Sequence, residues 1–140
     1  MLEKIVVLGA FGQIGSELVL ALREKYGGQN VIAAGRKSPP SEKIKKSGPV
    51  DFVDVNDKPA LEKCIKKYKA DTIYHLAAIL SASGEKNPQL AYKVNMNGMF
   101  NVLEVAREQK IERVMVPSSI AAFGPETPRD NTPNETIMRP

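Results

Sequence analysis

The stretch Lys4-Ile5-Val6-Val7-Leu8-Gly9-Ala10-Phe11-Gly12-Gln13-Ile14-Gly15 decides the fold. Lys4 to Leu8 is a short, β-branched apolar run that reads as a strand buried on both faces, the habit of parallel sheets. It stops at Gly9, and from Gln13 to Tyr26 the apolar residues Ile14, Leu18, Ala21 and Leu22 take up helical spacing, with Arg23 and Lys25 in the last turn and Gly27-Gly28 closing the helix. Gly9, Gly12 and Gly15 thus fall between a strand and a helix. Glycines there allow a tight turn and a close backbone approach, so that main-chain N–H groups and the positive helix end can meet a pyrophosphate with no Cβ in the way.

The same alternation continues along the chain. Val31–Ala34, Val50–Val55, Thr72–Leu76 and Arg113–Pro117 read as further strands. Asn56 or Asp57 caps a helix with Leu61, Ile65 and Tyr68 on one face, and Asn87-Pro88 opens a long helix carrying Leu90, Ala91, Val94, Gly98, Val102, Val105 and Ala106 to about Gln109. The stretch Arg36 to Gly48, rich in Lys, Ser and Pro, reads as a solvated loop, with Lys43, Lys45 and Lys46 on its surface. Strands joined by helices predict right-handed crossovers and an α/β, doubly wound parallel sheet of order 3-2-1-4-5 with helices on both faces. Ligands of such sheets bind at the carboxyl ends of the strands.

Composition narrows the classes. The 140 residues are 42% hydrophobic and 26% charged, as in ordinary globular chains, and no apolar run approaches the roughly 20 residues of a membrane span. No signal-peptide core is present near Met1, so the cytoplasm is the expected compartment. A single cysteine, Cys64, and a single histidine, His75, argue against a disulfide or a Cys/His metal site, and no metal is expected. The net charge of +4 suits an anionic ligand but, without aromatic interleaving, predicts no nucleic-acid partner and no membrane partner.

Gly9-Ala10-Phe11-Gly12-Gln13-Ile14-Gly15, Asp54-Val55, His75-Leu76-Ala77-Ala78, Asn95 and Pro117-Ser118-Ser119-Ile120 resemble, in order and spacing, the extended short-chain dehydrogenase/reductase family, the NAD-dependent epimerase/dehydratase group. Ile79-Leu80-Ser81-Ala82, Gly84 to Pro88, Val94 to Gly98 and Phe123 to Pro128 are similar to its L-threonine 3-dehydrogenase branch. The resemblance implies a Rossmann-like domain over residues 1–124 that binds NAD or NADP. It further implies an oxidoreductase moving hydride from a secondary alcohol, L-threonine or a similar small molecule, and a homodimer as an assembly open to the family. It places Gly9, Gly12 and Gly15 at the pyrophosphate, Asp54 and Val55 at the adenine, and Ala77 and Ala78 at the wall beside the nicotinamide ribose; Phe11, Gln13, Ile14, Arg36, Leu76 and Asn95 are further candidate cofactor-binding residues. Ser119 would be the catalytic hydroxyl, Ser81 and Ser118 substrate-side hydroxyls, and His75 a packing residue at a strand end. A nucleotide-sugar epimerase or dehydratase, and a non-catalytic NAD(P)-binding module, stand as alternatives.

Two departures from the family pattern bear on chemistry. The family's base is a tyrosine with a lysine four residues on, yet none of Tyr26, Tyr68, Tyr74 and Tyr92 is so followed. Residues 125–140 read as a Pro-rich loop leading to that pair and to a substrate lobe, and the chain is expected to be inactive as a truncated part. The second departure lies about 20 residues past the glycines, where an acidic residue usually holds the ribose 2′-OH. Gly35 stands there, followed by Arg36, which hints at NADP where the branch implies NAD.

Overall fold

The computed structural model of the protein describes residues 4–119 together with Phe123 and Thr127, the side chain of Ser81 excepted. The loop expected over 125–140 lies outside the described residues, Thr127 apart. Five parallel strands, β1 (Ile5–Leu8), β2 (Val31–Gly35), β3 (Val50–Phe52), β4 (Thr72–His75) and β5 (Arg113–Met115), form one sheet in the order β3-β2-β1-β4-β5. The predicted sheet order and Rossmann-like architecture are what the chain adopts. β3, β4 and β5 stop short of the predicted ends: β3 pairs no further than Gly35, the end of β2, β4 no further than Leu8, the end of β1, and β5 ends at Met115 opposite Tyr74.

Alternation along β1 splits the core in two. Val6 and Leu8 join Ile32, Ala34 and Ile73 on the face covered by α3 (Lys58–Tyr68) and α6 (Gly98–Glu108). Ile5 and Val7 join Val31 and Ala33 on the face covered by α1 (Gln13–Tyr26) and α2 (Glu42–Ser47). Each fully buried Val, Leu or Ile contributes about 1.5–3 kcal/mol, so a strand with no solvent-facing residue anchors both layers at once.

The helix α1 has the predicted limits but a rotated face. Gly15, Val19, Leu22 and Arg23 are its buried residues, while Ile14 is 68% exposed and Ala21 faces solvent. The rotation follows from Gly15, which lets the first turn lie directly on the main chain of Gly9. It carries Arg23 inward, where the residue is 5% exposed. Its Nε donates to Val31 O at 3.0 Å, Nη1 to Ile44 O at 2.6 Å and Ser47 Oγ at 2.8 Å, and Nη2 to Pro49 O. One buried cation, held by carbonyl and hydroxyl oxygens, thereby ties α1 to β2, α2 and the start of β3.

The stretch 36–48, expected as loop throughout, contains the helix α2. Ser41 caps it by accepting the Ile44 N–H at 3.4 Å, and Ile44 is fully buried while Lys43, Lys45 and Lys46 are solvated as expected. A six-residue helix with a single apolar side chain has no periodicity to read. A short helix, α4 (Ser81–Lys86), was likewise not predicted.

The predicted long helix from Asn87 is built in three pieces: α5 (Pro88–Tyr92), a π-helical turn at Lys93–Asn97, and α6. Asn87 caps it, its Oδ1 accepting the Leu90 N–H at 3.0 Å. Leu90 lies outside the core, 39% exposed, and Tyr92, Met96, Phe100 and Leu103 are exposed along the same helical run. Asp57 caps α3 by accepting the Ala60 N–H at 3.0 Å, and Lys58 joins Glu108 at 2.8 Å to fasten α3 to α6.

Arg23→Met removes four hydrogen bonds and leaves buried acceptors short of donors, which should cost on the order of 3 kcal/mol; urea unfolding should show a lower midpoint at unchanged slope. Lys25→Met, at an exposed position of the same helix, is the control and should stay within about 0.5 kcal/mol. His75 is buried, its Nδ1 has no hydrogen-bond partner among the described residues, and burial pushes its pKa below the ordinary 6.5. The unfolded chain therefore binds the imidazole proton more readily. Stability should be full above that ordinary value and fall as pH drops through it toward the folded pKa. Urea midpoints measured across that range should flatten in His75→Leu, and an unaltered pH slope in that variant would exclude this origin.

Candidate functional site

The site is built from the ends of the strands. Gly9 follows β1 with φ +81°, and a Cβ there would lie 2.7 Å from Ala77 N and 2.8 Å from Leu76 C. Positive φ and main-chain contact together restrict this position to glycine. The Gly9 carbonyl accepts the Gly12 N–H at 3.2 Å and would sit 2.3 Å from a Gly15 Cβ. Gly12 differs from these two. Its φ is −80°, and a Cβ there would meet only Gly9 O, at 3.4 Å. It caps α1 with no side chain, and the first turn holds no acidic residue, so the orphan N–H groups of the helix start meet no competing carboxylate from their own turn.

Around this turn lies a cavity of about 280 Å³. Its floor is Gly9, Phe11 and Gly12; one wall is Gly35 to Ser38 with Val53, Asp54 and Val55, and the other is Leu76 to Ile79 with Val94. Apart from Gly35, the last residue of β2, and Val94 of the π-helical turn, these residues lie just beyond β1, β2, β3 and β4, on either side of the point where the chain order reverses between β1 and β4.

Of the sequence-predicted cofactor residues, the cavity brings together Gly9, Phe11, Gly12, Arg36, Asp54, Val55, Leu76, Ala77 and Ala78. Gln13 and Ile14 lie exposed on the first turn of α1 outside its lining, and Gly15 is buried beneath that turn. Asn95 does not line it either. From the π-helical turn its Oδ1 accepts the Ile79 N–H at 2.8 Å and its Nδ2 donates to Ile79 O at 3.0 Å, so its amide clamps the Leu76–Ile79 wall. Such a turn inserts a residue into a helix and re-aims the side chains around it. Ser118 and Ser119 follow β5 and are exposed, outside the cavity lining. Ser81 opens α4, and its side chain lies outside the described residues.

Gly35, read in the sequence as the ribose position, lines the cavity together with Lys37 beside Arg36, while Ser38, Val53, Ile79 and Val94 are lining residues that the sequence does not single out. Ser38 and Ile79 carry a usable signal, since each follows a strand at its carboxyl end. Val53 and Val94 carry none, being apolar residues like any in the core.

At the far corner, Arg36 Nη1 lies 3.6 Å from Asp54 Oδ2, with both side chains partly solvated. Asp54 Oδ1 accepts the Asn56 N–H at 2.9 Å and Asn56 Nδ2 at 3.1 Å. Partial burial works to raise the Asp54 pKa; the Asn56 donors and the Arg36 charge overcome it and hold the carboxyl below its usual range. Asp54 is thus both a turn carboxylate and a cavity wall. Among the described residues no group of His, Cys, Asp and Glu is placed to hold a metal ion, and no helix is long and apolar enough to cross a membrane.

Comparison with known proteins extends this geometry. An uncharacterized epimerase/dehydratase of Staphylococcus saprophyticus is 48% identical over 139 residues, covering 99% of this chain and 43% of that protein. The L-threonine dehydrogenase structure from Clostridium difficile superposes with a TM-score of 0.89 at 47% identity, covering 99% of this chain and 43% of the other. A GalE-like L-threonine dehydrogenase from Cupriavidus necator, in its holo form, gives a TM-score of 0.86 at 46% identity, covering 98% of this chain and 44% of that one. The 140 residues therefore span less than half the length of these relatives. Residues 5–140 match the family described as NAD dependent epimerase/dehydratase, and the chain belongs to that family.

Proposed function

We propose that the cavity binds a nicotinamide adenine dinucleotide and that the chain is the cofactor-binding part of an oxidoreductase like the L-threonine 3-dehydrogenases it resembles. The observation that carries this is the turn at Gly9–Gly15, where main chain replaces side chain at the mouth of a cavity formed by four strand ends. The fit is specific: a Cβ at Gly9 or Gly15 would strike the backbone, whereas Gly12 has room for one on its protein side, so the glycine at 12 is explained by a ligand above it.

In this reading Gly9, Phe11 and Gly12, with the main-chain N–H groups of Gln13, Ile14 and Gly15, hold the pyrophosphate. Arg36, Asp54 and Val55 border the adenosine, and Leu76, Ala77 and Ala78 flank the nicotinamide ribose. Asn95 is a positioning residue that fixes this last wall through Ile79. When bound, the dinucleotide supplies a hydride acceptor. We assign Ser119, which follows β5, to the substrate side, where its hydroxyl would hydrogen-bond the alcohol oxygen, and Ser118 and Ser81 to further substrate-side hydroxyls.

The 140-residue chain should bind the dinucleotide without oxidising threonine, because no tyrosine in it precedes a lysine by four residues and general base catalysis typically contributes about 10²–10⁴-fold. Gly12→Ala should keep the fold, shown by circular dichroism, yet weaken dinucleotide binding by roughly tenfold or more. Full affinity in that variant would remove the pyrophosphate from this turn, and enzyme-like NAD(P)H production from threonine by the purified chain would disprove the separation of binding from catalysis.

Ser119 can be tested in a chimera joining residues 1–140 to the downstream part of one of the related dehydrogenases. Ser119→Ala should lower kcat far more than it alters cofactor affinity, and Ser81→Ala should act mainly on KM. Unchanged turnover in the Ser119 variant would leave that serine a turn residue only.

A further inference from the structure

This inference rests on the dinucleotide reading and concerns the corner where β2 ends. Gly35 is buried there, and a Cβ built on it would fall 2.1 Å from Phe11 Cδ2 and 2.4 Å from Phe11 Cε2. The Phe11 ring in turn packs on Phe52, their centroids 5.7 Å apart and their planes tilted by 59°. With that ring in place no carboxylate can project from position 35 to accept a ribose hydroxyl. Around the corner stand Arg36, Lys37 and Ser38, all exposed and all lining the cavity. The carboxylate that lines it is Asp54, with one oxygen engaged twice by Asn56 and the other facing Arg36.

We infer that this corner is a subsite for a phosphomonoester on the adenosine ribose, so that the preferred cofactor is the 2′-phosphorylated dinucleotide, NADP. Among the described lining residues two cations and a hydroxyl face one carboxylate, leaving the corner net positive and richer in donors than in acceptors. Arg36 offers a planar fork suited to two phosphate oxygens. At 3.6 Å its contact with Asp54 is an ion pair without hydrogen-bond saturation, which holds the guanidinium at the rim while leaving N–H groups to present to a ligand. Lys37 adds a point charge and Ser38 a neutral donor. The residues immediately after β2 do this because the strand delivers them, one after another, to the edge of the cavity.

The test is calorimetric titration of the 140-residue chain, at low and high salt, with NADP⁺, NAD⁺, adenosine 2′,5′-bisphosphate and ADP. NADP⁺ should bind more tightly than NAD⁺, and the 2′,5′-bisphosphate more tightly than ADP, by about 10- to 150-fold at low salt, the range for hydrogen bonds to a charged group. The margin should narrow at high salt because Arg36 is half exposed. Arg36→Ala, at an exposed position where folding is not at stake, should abolish most of the preference, and Lys37→Ala should remove a smaller, salt-sensitive share. Equal or tighter binding of NAD⁺ at both salt levels, or a preference for NADP⁺ that Arg36→Ala leaves intact, would overturn the subsite and keep the dinucleotide reading. Failure of all four ligands to bind would overturn both.

Discussion

The contact of three main chains at Gly9 governs the rest of the structure. Beyond β1 the chain is held on both sides, since Ala10 N donates to Ala34 O at 3.0 Å on the β2 side and Leu76 N to Leu8 O at 2.9 Å on the β4 side. Gly9 then turns with positive φ against Ala77, and the first turn of α1 settles on its carbonyl through Gly15. No side chain fits between these segments. The helix start and the ends of β2 and β4 are therefore fixed relative to one another by backbone contact alone, the least deformable kind of packing. A site assembled this way is shaped by the fold itself, before any ligand arrives.

Arg23 extends this order to the outer strands. β3 is a short edge strand with three paired residues, and α2 has six, so neither has enough local structure to be stable alone. The guanidinium supplies the missing links by donating to Ile44, Ser47 and Pro49, and Ile44 inserts into the core layer behind α1. The loop carrying Arg36, Lys37 and Ser38 thus leaves a buried Gly35 and re-enters at a capped, anchored helix. Its charges ride on a segment tethered at both ends, which limits the conformational entropy a ligand would have to remove.

Much of this was legible in the residues, for a physical reason. The apolar runs Ile5–Leu8 and Val31–Ala34 have no polar face, which only a strand sandwiched between two layers can accommodate, and the helix-length spacers leave only parallel connections. The face of α1 was misread because Ile14 looks like core and Arg23 like surface. Hydrophobicity alone cannot show that a glycine at 15 rolls the helix by a residue, or that four oxygens converge on a guanidinium. Asn95 illustrates the same limit within the site: its position was visible, but its task, clamping both polar atoms of Ile79 from a π-helical turn, depends on helix geometry that no local pattern encodes.

Gly35 shows why single positions can mislead when read alone. In sequence it is a missing carboxylate, one substitution at the end of β2. In the folded chain it is half of a pair, because the space a side chain would fill belongs to Phe11, and Phe11 is braced by Phe52 on the next strand. An acid placed at 35 would have to displace an aromatic ring from between the glycine turn and β3, and the ring could leave only by giving up its contact with Phe52. Positions 11, 35 and 52 therefore act as one unit, set by steric exclusion, with the charges of Arg36, Lys37 and Asp54 arranged around it. Chemistry at this corner follows from what the ring excludes as much as from what the cations attract.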